Sequence, residues 1–333
     1  MRRALIAAIV LPAIVIFAAP LRAYLKIGTF VGNDIVGIQW TNLPIRYFVT
    51  SRDVPGVTAA QLQTTAASSF AAWSGQPDLA LSTQFGGFTA TEPADTDTVT
   101  VIGFQSHPEL ERTLGATTFT VDDATGRLIA SDIFINTAFQ WSVAPNGETN
   151  RFDVQSILTH EIGHLLGLGH SAMGETRVNS GGGRTVLGKR AVMFPIAYPP
   201  GSIVDRTLEA GDVAGITDIY GTTAAQEELG ALSGRVTLNG AGVFGAHVVA
   251  FNPATGEMVG GFSLTDAGDF VIAALKPGQY VVRVEPLDDA DIDGFFDTDS
   301  GVNINFQVTY YTKLVPVPAG GAGAAIQIKV KAK

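Results

Sequence analysis

The sequence predicts an α+β domain followed by an all-β sandwich. Three observations carry this. First, Val154, Ile157, Leu158, Ile162, Leu165 and Leu166 recur at helical spacing and mark a helix apolar enough for the centre of a domain. Second, the residues before it hold another helical stretch and several strand-like segments of alternating polarity. Third, beyond residue 231 the chain becomes a series of short strand-like runs separated by Gly, Pro, Asn and Asp.

Taken in order, the chain begins Met1-Arg2-Arg3 and continues with uncharged, mostly apolar residues from Ala4 to Leu21. A basic start, an apolar run and the Leu21-Arg22-Ala23 cleavage pattern make residues 1–23 a signal peptide. Pro12 and Pro20 interrupt a run barely long enough to span a bilayer, and a retained N-terminal anchor is the alternative. Residues 24–37 form a short N-terminal segment. IRYFVT (45–50) reads as the first core strand, introduced by Trp40 and Pro44. Residues 58–73 have helical composition with Thr58 as N-cap. Residues 99–104 and 115–121 alternate as strands. A polar, Ala/Glu-rich link at 222–231 marks a boundary. Residues 232–333 supply the sandwich strands SGRVTLNG, GAHVVAFNP, GDFVIAAL, GQYVVRVEP, INFQVTYY and AIQIKVK.

The chemistry lies in HEIGHLLGLGHS, residues 160–171. His160 and His164 are four residues apart, so a helix projects both from one face and two imidazoles can meet one metal. Glu161 can reach a metal-bound water without being a ligand. Gly167 lets the chain leave the helix sharply, and His170 returns as a third ligand. Three histidines with an open fourth position describe a catalytic zinc site rather than a structural one. HExxH by itself also occurs as a charged turn. An apolar helix, however, carries two histidines and a glutamate inward only where something compensates their burial, and a metal does so.

The run HExxHxxGxxH is similar to the metzincin signature, and Ser171 after it resembles the matrixin branch. GRLIASDIFIN (126–136) resembles the matrixin strand segment and FDVQSILTHEIGH the approach to the active-site helix. AVMFP places Met193 where a Met-turn belongs, and GDVAGITDIYG (211–221) is similar to the closing matrixin helix. The resemblance covers residues 38–221. It implies a mixed twisted sheet with three helices, one catalytic zinc on His160, His164 and His170, Glu161 as general base, and a polypeptide substrate. It further implies that Met193 forms an apolar floor, that Pro195 and Tyr198 line the pocket, and that Asp212 ties the last helix to the Met-turn. LGATTF (114–119) corresponds to the edge strand that pairs with substrate. The chain departs from vertebrate matrixins in a longer, Gly-rich link between His170 and Met193, expected to be a mobile loop. It departs also in the Pro195–Tyr198 spacing and in the missing structural-zinc loop. His107 and His247 lack partners at ligand spacing and read as surface or packing residues. SGRVTLNGAGVFGAHVVAFN with TDAGDFVIAALKPGQYVVRV looks like the carboxypeptidase regulatory-like domain, a transthyretin-like sandwich that binds protein or surface glycan or acts as a spacer.

A net charge of −10 argues against nucleic acid as a partner. There are no cysteines, so the thiolate latch of vertebrate matrixins has no counterpart here. The chain is long enough to bury two ordinary cores without disulfides. Calcium is a second cation the sequence allows at Asp95/Asp97 and Asp122/Asp123, where turn chemistry explains Asp equally well, and in DDADIDGFFDTDS (288–300), which opens like an EF-hand loop but has Ser300 where the bidentate Glu belongs. After signal cleavage no membrane span remains, which places the protein outside the cell or in a periplasm. The functional expectation is a secreted zinc endopeptidase. A surface adhesion or matrix-binding protein with a vestigial protease domain is the alternative, and a metal hydrolase acting on other bonds is the third reading.

Overall fold

The structure, a computed structural model, describes residues 25–94, 98–296 and 300–333. Residues 1–23, expected to be a signal peptide, and the acidic positions Asp95, Asp97, Asp297 and Asp299 lie outside the described residues. No helix among the described residues is long and apolar enough to cross a membrane. The N-terminal segment is already structured from residue 25. β1 (Gly28–Val31) and β2 (Asp34–Gly37) pair as a hairpin, and Leu25 before them is buried.

The main sheet contains β3 (Ile45–Thr50), β4 (Thr83–Thr89), β5 (Thr100–Gln105), β6 (Gly115–Val121) and β7 (Leu128–Asn136) in the order β4-β3-β5-β7-β6. All neighbours are parallel except β6, which runs antiparallel to β7 and forms an edge. A short parallel pair, β8 (Trp141–Ser142) and β9 (Phe152–Asp153), leads into the central helix. α1 (Ala59–Ser74) and α2 (Val154–Leu165) pack on each other and on the sheet in one core, where Phe70, Trp73, Ile102, Ile133, Leu158 and Ile162 are almost wholly buried. Thr58 and Gln61 form a reciprocal capping box on α1, because a hydroxyl and an amide satisfy two N–H groups that the first turn leaves open.

α2 carries the sequence motif, and nearly every device around it fixes its ends. Asp153 caps its start, accepting from Ser156 N at 2.8 Å, and the Arg206 guanidinium holds Asp153 through two nitrogens. At its end the carbonyls are all taken: Leu166 N, Leu168 N and Gly167 N donate to Ile162, Gly163 and His164 oxygens. Trp40 Nε1 donates to Leu165 O at 2.8 Å and Tyr220 OH to Leu166 O at 3.0 Å. The Leu168 and Gly167 bonds form a Schellman stop. Gly167 sits at φ 97°, and a Cβ there would lie 2.5 Å from Ile38 O, so glycine is needed on both conformational and steric grounds.

Two differences from the sequence expectations have clear physical causes. The Gly-rich link after His170 is a paired hairpin, β10 (Gly174–Val178) with β11 (Arg184–Lys189), rather than a mobile loop. Its tip uses Gly182 and Gly183 at positive φ, as a tight reversal requires. The 222–231 link contains a helix, α4 (Thr223–Glu228), capped by Thr222 and anchored by buried Ala225. The next strand starts at Gly230. Polarity on three sides of this helix hid it from hydrophobic patterning.

α3 (Ala210–Tyr220) lies between the two halves: Ile216 and Tyr220 enter the first core and Ala214 the second. The C-terminal region has two sheets around that second core. One contains β12 (Gly230–Leu238), β13 (Ala241–Gly242), β16 (Asp269–Leu275) and β20 (Ile326–Val330); β20 pairs parallel with β12. The other contains β14 (His247–Phe251), β15 (Met258–Phe262), β17 (Gly278–Glu285), β18 (Thr309–Tyr310) and β19 (Val315–Val317). Val236, Phe270 and Ile272 from one meet Val248, Val282 and Val284 from the other. Of the expected strand INFQVTYY only Thr309–Tyr310 joins a ladder, while Phe306 is fully buried.

Gly163 marks the closest approach to α2. A Cβ there would lie 2.2 Å from Met193 Sδ and 2.8 Å from the Trp73 ring. Gly163→Ala therefore loses more by overpacking, about 1–3 kcal/mol, than it gains from helix propensity, about 1 kcal/mol. A lowered melting midpoint checks this; a raised one would show that Met193 and Trp73 can move aside.

Candidate metal centre

His160 and His164 project one turn apart from α2, and the Gly167 reversal brings His170 back to them. His164 Nε2 lies 3.1 Å from both His160 Nε2 and His170 Nε2. Each ring is turned by a bond on its far side. His160 Nδ1 donates to Val192 O at 2.8 Å, His164 Nδ1 to Leu168 O at 2.8 Å, and His170 Nδ1 to Gly294 O at 2.5 Å. A carbonyl can only accept, so each Nδ1 carries the proton and each Nε2 presents a lone pair. Burial keeps all three rings neutral: it holds His160 far below its ordinary value, pushes His164 down to about 3, and lowers His170. Three lone pairs converging at this separation repel one another. Ligands about 2.0–2.1 Å from a tetrahedral zinc are about 3.3 Å apart, so the donor set fits that ion. It is the one group of three or more candidate metal ligands found among the described residues.

Glu161 follows His160 and is buried. Its burial raises its carboxyl to about 7, against a bond from Thr117 Oγ1 to Oε2 at 2.7 Å that favours the charged form. Thr117 Oγ1 also lies 3.0 Å from Glu161 O. Thr117 belongs to the edge strand β6. A Cβ on Gly115, two residues earlier, would lie 3.3 Å from Glu161 Oε1. The edge strand therefore runs directly beside the carboxylate.

Behind the rings lies the 191–194 turn. Met193 is wholly buried and packs against Gly163. Asp212 at the start of α3 accepts from Val192 N at 2.8 Å and Met193 N at 3.2 Å, and from Glu209 N at 3.0 Å. The Val192 peptide is thus held at its N–H by Asp212 while its carbonyl orients His160. Ser171 N donates to Met193 O, closing the turn against the segment that carries His170. Pro195 lies next to Gly294. Tyr198 turns toward the hairpin: its hydroxyl accepts from Lys189 N at 3.1 Å, and Lys189 Nζ sits 5.3 Å from its ring centre. His107 stacks on Phe134, and buried His247 bonds Glu285, so both have packing roles. Asp122 accepts from Ala124 N and Thr125 Oγ1, the turn chemistry that competed with calcium there.

The sequence did not single out Thr117, Asn136 or Gly294. Asn136 is fully buried at the end of β7. Its amide donates to His107, Leu110 and Thr113 carbonyls, fixing the loop that enters β6. A polar residue closing an otherwise apolar strand was the available signal. Nothing local in the sequence ties Gly294 to a residue so far upstream.

With this geometry in view, the likeness to known proteins is clear. Residues 39–180 match the Matrixin (Peptidase_M10) family model. Metalloendoproteinase 1-MMP of Arabidopsis thaliana is 42% identical over 69 residues, covering 21% of this chain and 14% of that protein. Metalloendoproteinase 4-MMP of Arabidopsis thaliana is 32% identical over 111 residues, covering 33% and 26%. Metalloendoproteinase 1 of Glycine max is 38% identical over 73 residues, covering 22% and 18%. The chain therefore spans about a quarter or less of the length of these relatives. The family match ends at the hairpin tip; Met193, Pro195, Tyr198 and Asp212 lie beyond it and join the site through the contacts above.

Asp212→Asn replaces one acceptor oxygen by a donor against the Val192, Met193 and Glu209 amides. Each orphaned buried amide costs about 1–3 kcal/mol, and denaturant unfolding should show a loss of that size or more. An unchanged midpoint would mean that the turn holds without this carboxylate.

Proposed function

We propose that the chain is a secreted zinc endopeptidase. The observation that carries this reading is the convergence of three neutral Nε2 lone pairs beside a buried carboxylate, next to a sheet edge. Zinc held by His160, His164 and His170 would polarise a scissile carbonyl and acidify a water. Glu161 would take a proton from the attacking water as its oxygen bonds the carbonyl carbon and return it to the amine as the C–N bond breaks. Thr117 keeps Oε2 oriented while Oε1 remains toward Gly115 and the edge. The outer edge of β6 then pairs with an extended polypeptide, the substrate adding a strand antiparallel or parallel to it. Met193 gives the apolar floor and Asp212 the tie to α3. Pro195 belongs to the pocket wall, and Tyr198 supports it from the hairpin side.

The two-sheet C-terminal region fits a sandwich of the carboxypeptidase regulatory-like type, beginning near 230 and capable of binding protein or surface glycan. Residues 1–23 are the export signal, leaving the enzyme extracellular or periplasmic. One zinc suffices. Calcium is a lesser part of the proposal at 288–300, since Asp288, Asp289 and Asp291 already have Lys333, Thr176 and Arg184 as partners. The vestigial-protease reading is less well supported, because Glu161 is present and held.

The deciding test is cleavage of a quenched-fluorescent peptide library by residues 24–333, with zinc measured on the same sample. Glu161→Ala should retain one zinc while turnover falls by about 10²–10⁴-fold, and a zinc chelator should abolish the wild-type activity. Undiminished cleavage by the Ala variant, or indifference to the chelator, would contradict the assignment.

A further inference from the structure

Two of the three rings are oriented from within the N-terminal region: His160 by Val192 and His164 by Leu168. His170 is not. Its Nδ1 donates to Gly294 O, in the loop between β17 and β18 of the C-terminal region. Phe295, 1% exposed, sits edge-on 6.1 Å from the His170 ring and 5.8 Å from Phe262 behind it.

The loop is held there from the catalytic side. Arg184 of the hairpin bonds Asp291 Oδ1 at 3.2 Å and Asp288 O at 3.0 Å. Thr176 N donates to Asp289 Oδ1 at 3.0 Å, and Thr176 Oγ1 donates to Asp289 O at 2.5 Å. Beneath these bonds, Ala172, Val186 and Phe194 share one apolar cluster with Leu287, Ala290 and Phe296. The two features that fell outside the matrixin pattern, the hairpin and the acidic run, thus meet each other at the third ligand.

We infer that the C-terminal region is part of the metal centre: Gly294 is the positioning residue for His170, and the hairpin 174–189 seats the loop that carries it. This rests on the zinc-site reading above. His170 follows the helix stop on an extended stretch, where the neighbouring carbonyl of Leu168 is already engaged by His164. Without Gly294 O the ring is free to rotate or to exchange tautomer, and its Nε2 is no longer fixed toward the other two. An outer partner of a zinc-bound histidine is typically worth 10–100-fold in metal affinity.

A backbone carbonyl survives side-chain substitution, so the test undocks the loop instead, in the full chain. Zinc affinity is measured by chelator competition for wild type, for Arg184→Ala/Thr176→Val, and for Arg235→Ala. The last breaks only an exposed ion pair with Asp269 in the same C-terminal region. The double variant should bind zinc about 10–100-fold more weakly and show an altered cobalt(II) absorption spectrum, while Arg235→Ala matches wild type. Equal affinity and spectrum in a folded double variant would overturn the inference. A wild type that binds no zinc would sink the zinc-site reading instead. Should the double variant fail to fold, nitrogen-15 spectra of metal-free wild type decide: the His170 Nδ1 proton should exchange as slowly as those of His160 and His164. Fast exchange at His170 alone would refute the Gly294 bond.

Discussion

Three Nδ1–H groups bonded to three backbone carbonyls determine the rest of the site. A neutral imidazole has one donor and one acceptor nitrogen, so fixing the donor fixes the direction of the lone pair. Val192, Leu168 and Gly294 supply the acceptors from three separate segments. Each segment must therefore be held more firmly than an ordinary loop, and each is. Asp212 grips the amides around Val192, the Schellman stop fixes Leu168, and the hairpin clasps the loop of Gly294. Burial then keeps the rings neutral and ready for a cation.

The same logic explains the attention the fold gives to α2. Its first turn is capped by an aspartate that is itself locked by Arg206, and its last carbonyls are taken by Trp40 and Tyr220, far apart in sequence but bonded to each other. Helix ends are where backbone groups go unsatisfied and fray. Closing both holds His160, His164 and the Glu161 carboxylate in one rigid frame, as the proposed catalysis requires. The sheet edge at β6 is brought to that frame by Thr117 and by the Asn136 hub.

What the sequence made legible was local. His160, Glu161 and His164 follow from helical spacing, and His170 from the glycine that ends the helix. The Thr58 cap, the strand at 115–121 and the change of character near 230 are likewise readable from neighbours in the chain. What escaped was long-range. Thr117 looks like any strand threonine until β6 is laid beside α2. Gly294 sits in an aspartate-rich run that invites a calcium reading, because the Arg184 and Thr176 that engage it are more than a hundred positions upstream. The glycines at 181–183 signalled flexibility, whereas they form the reversal of a paired hairpin. Composition reports which residues can turn, and only packing decides whether they are held.

The central claim, a three-imidazole centre with one position left for water, is tested most directly by X-ray absorption at the zinc edge on the purified full chain. The account predicts three imidazole nitrogens and one water oxygen at about 2.0–2.1 Å. A fourth protein ligand closing the sphere, or an oxygen-dominated six-coordinate shell, would contradict it.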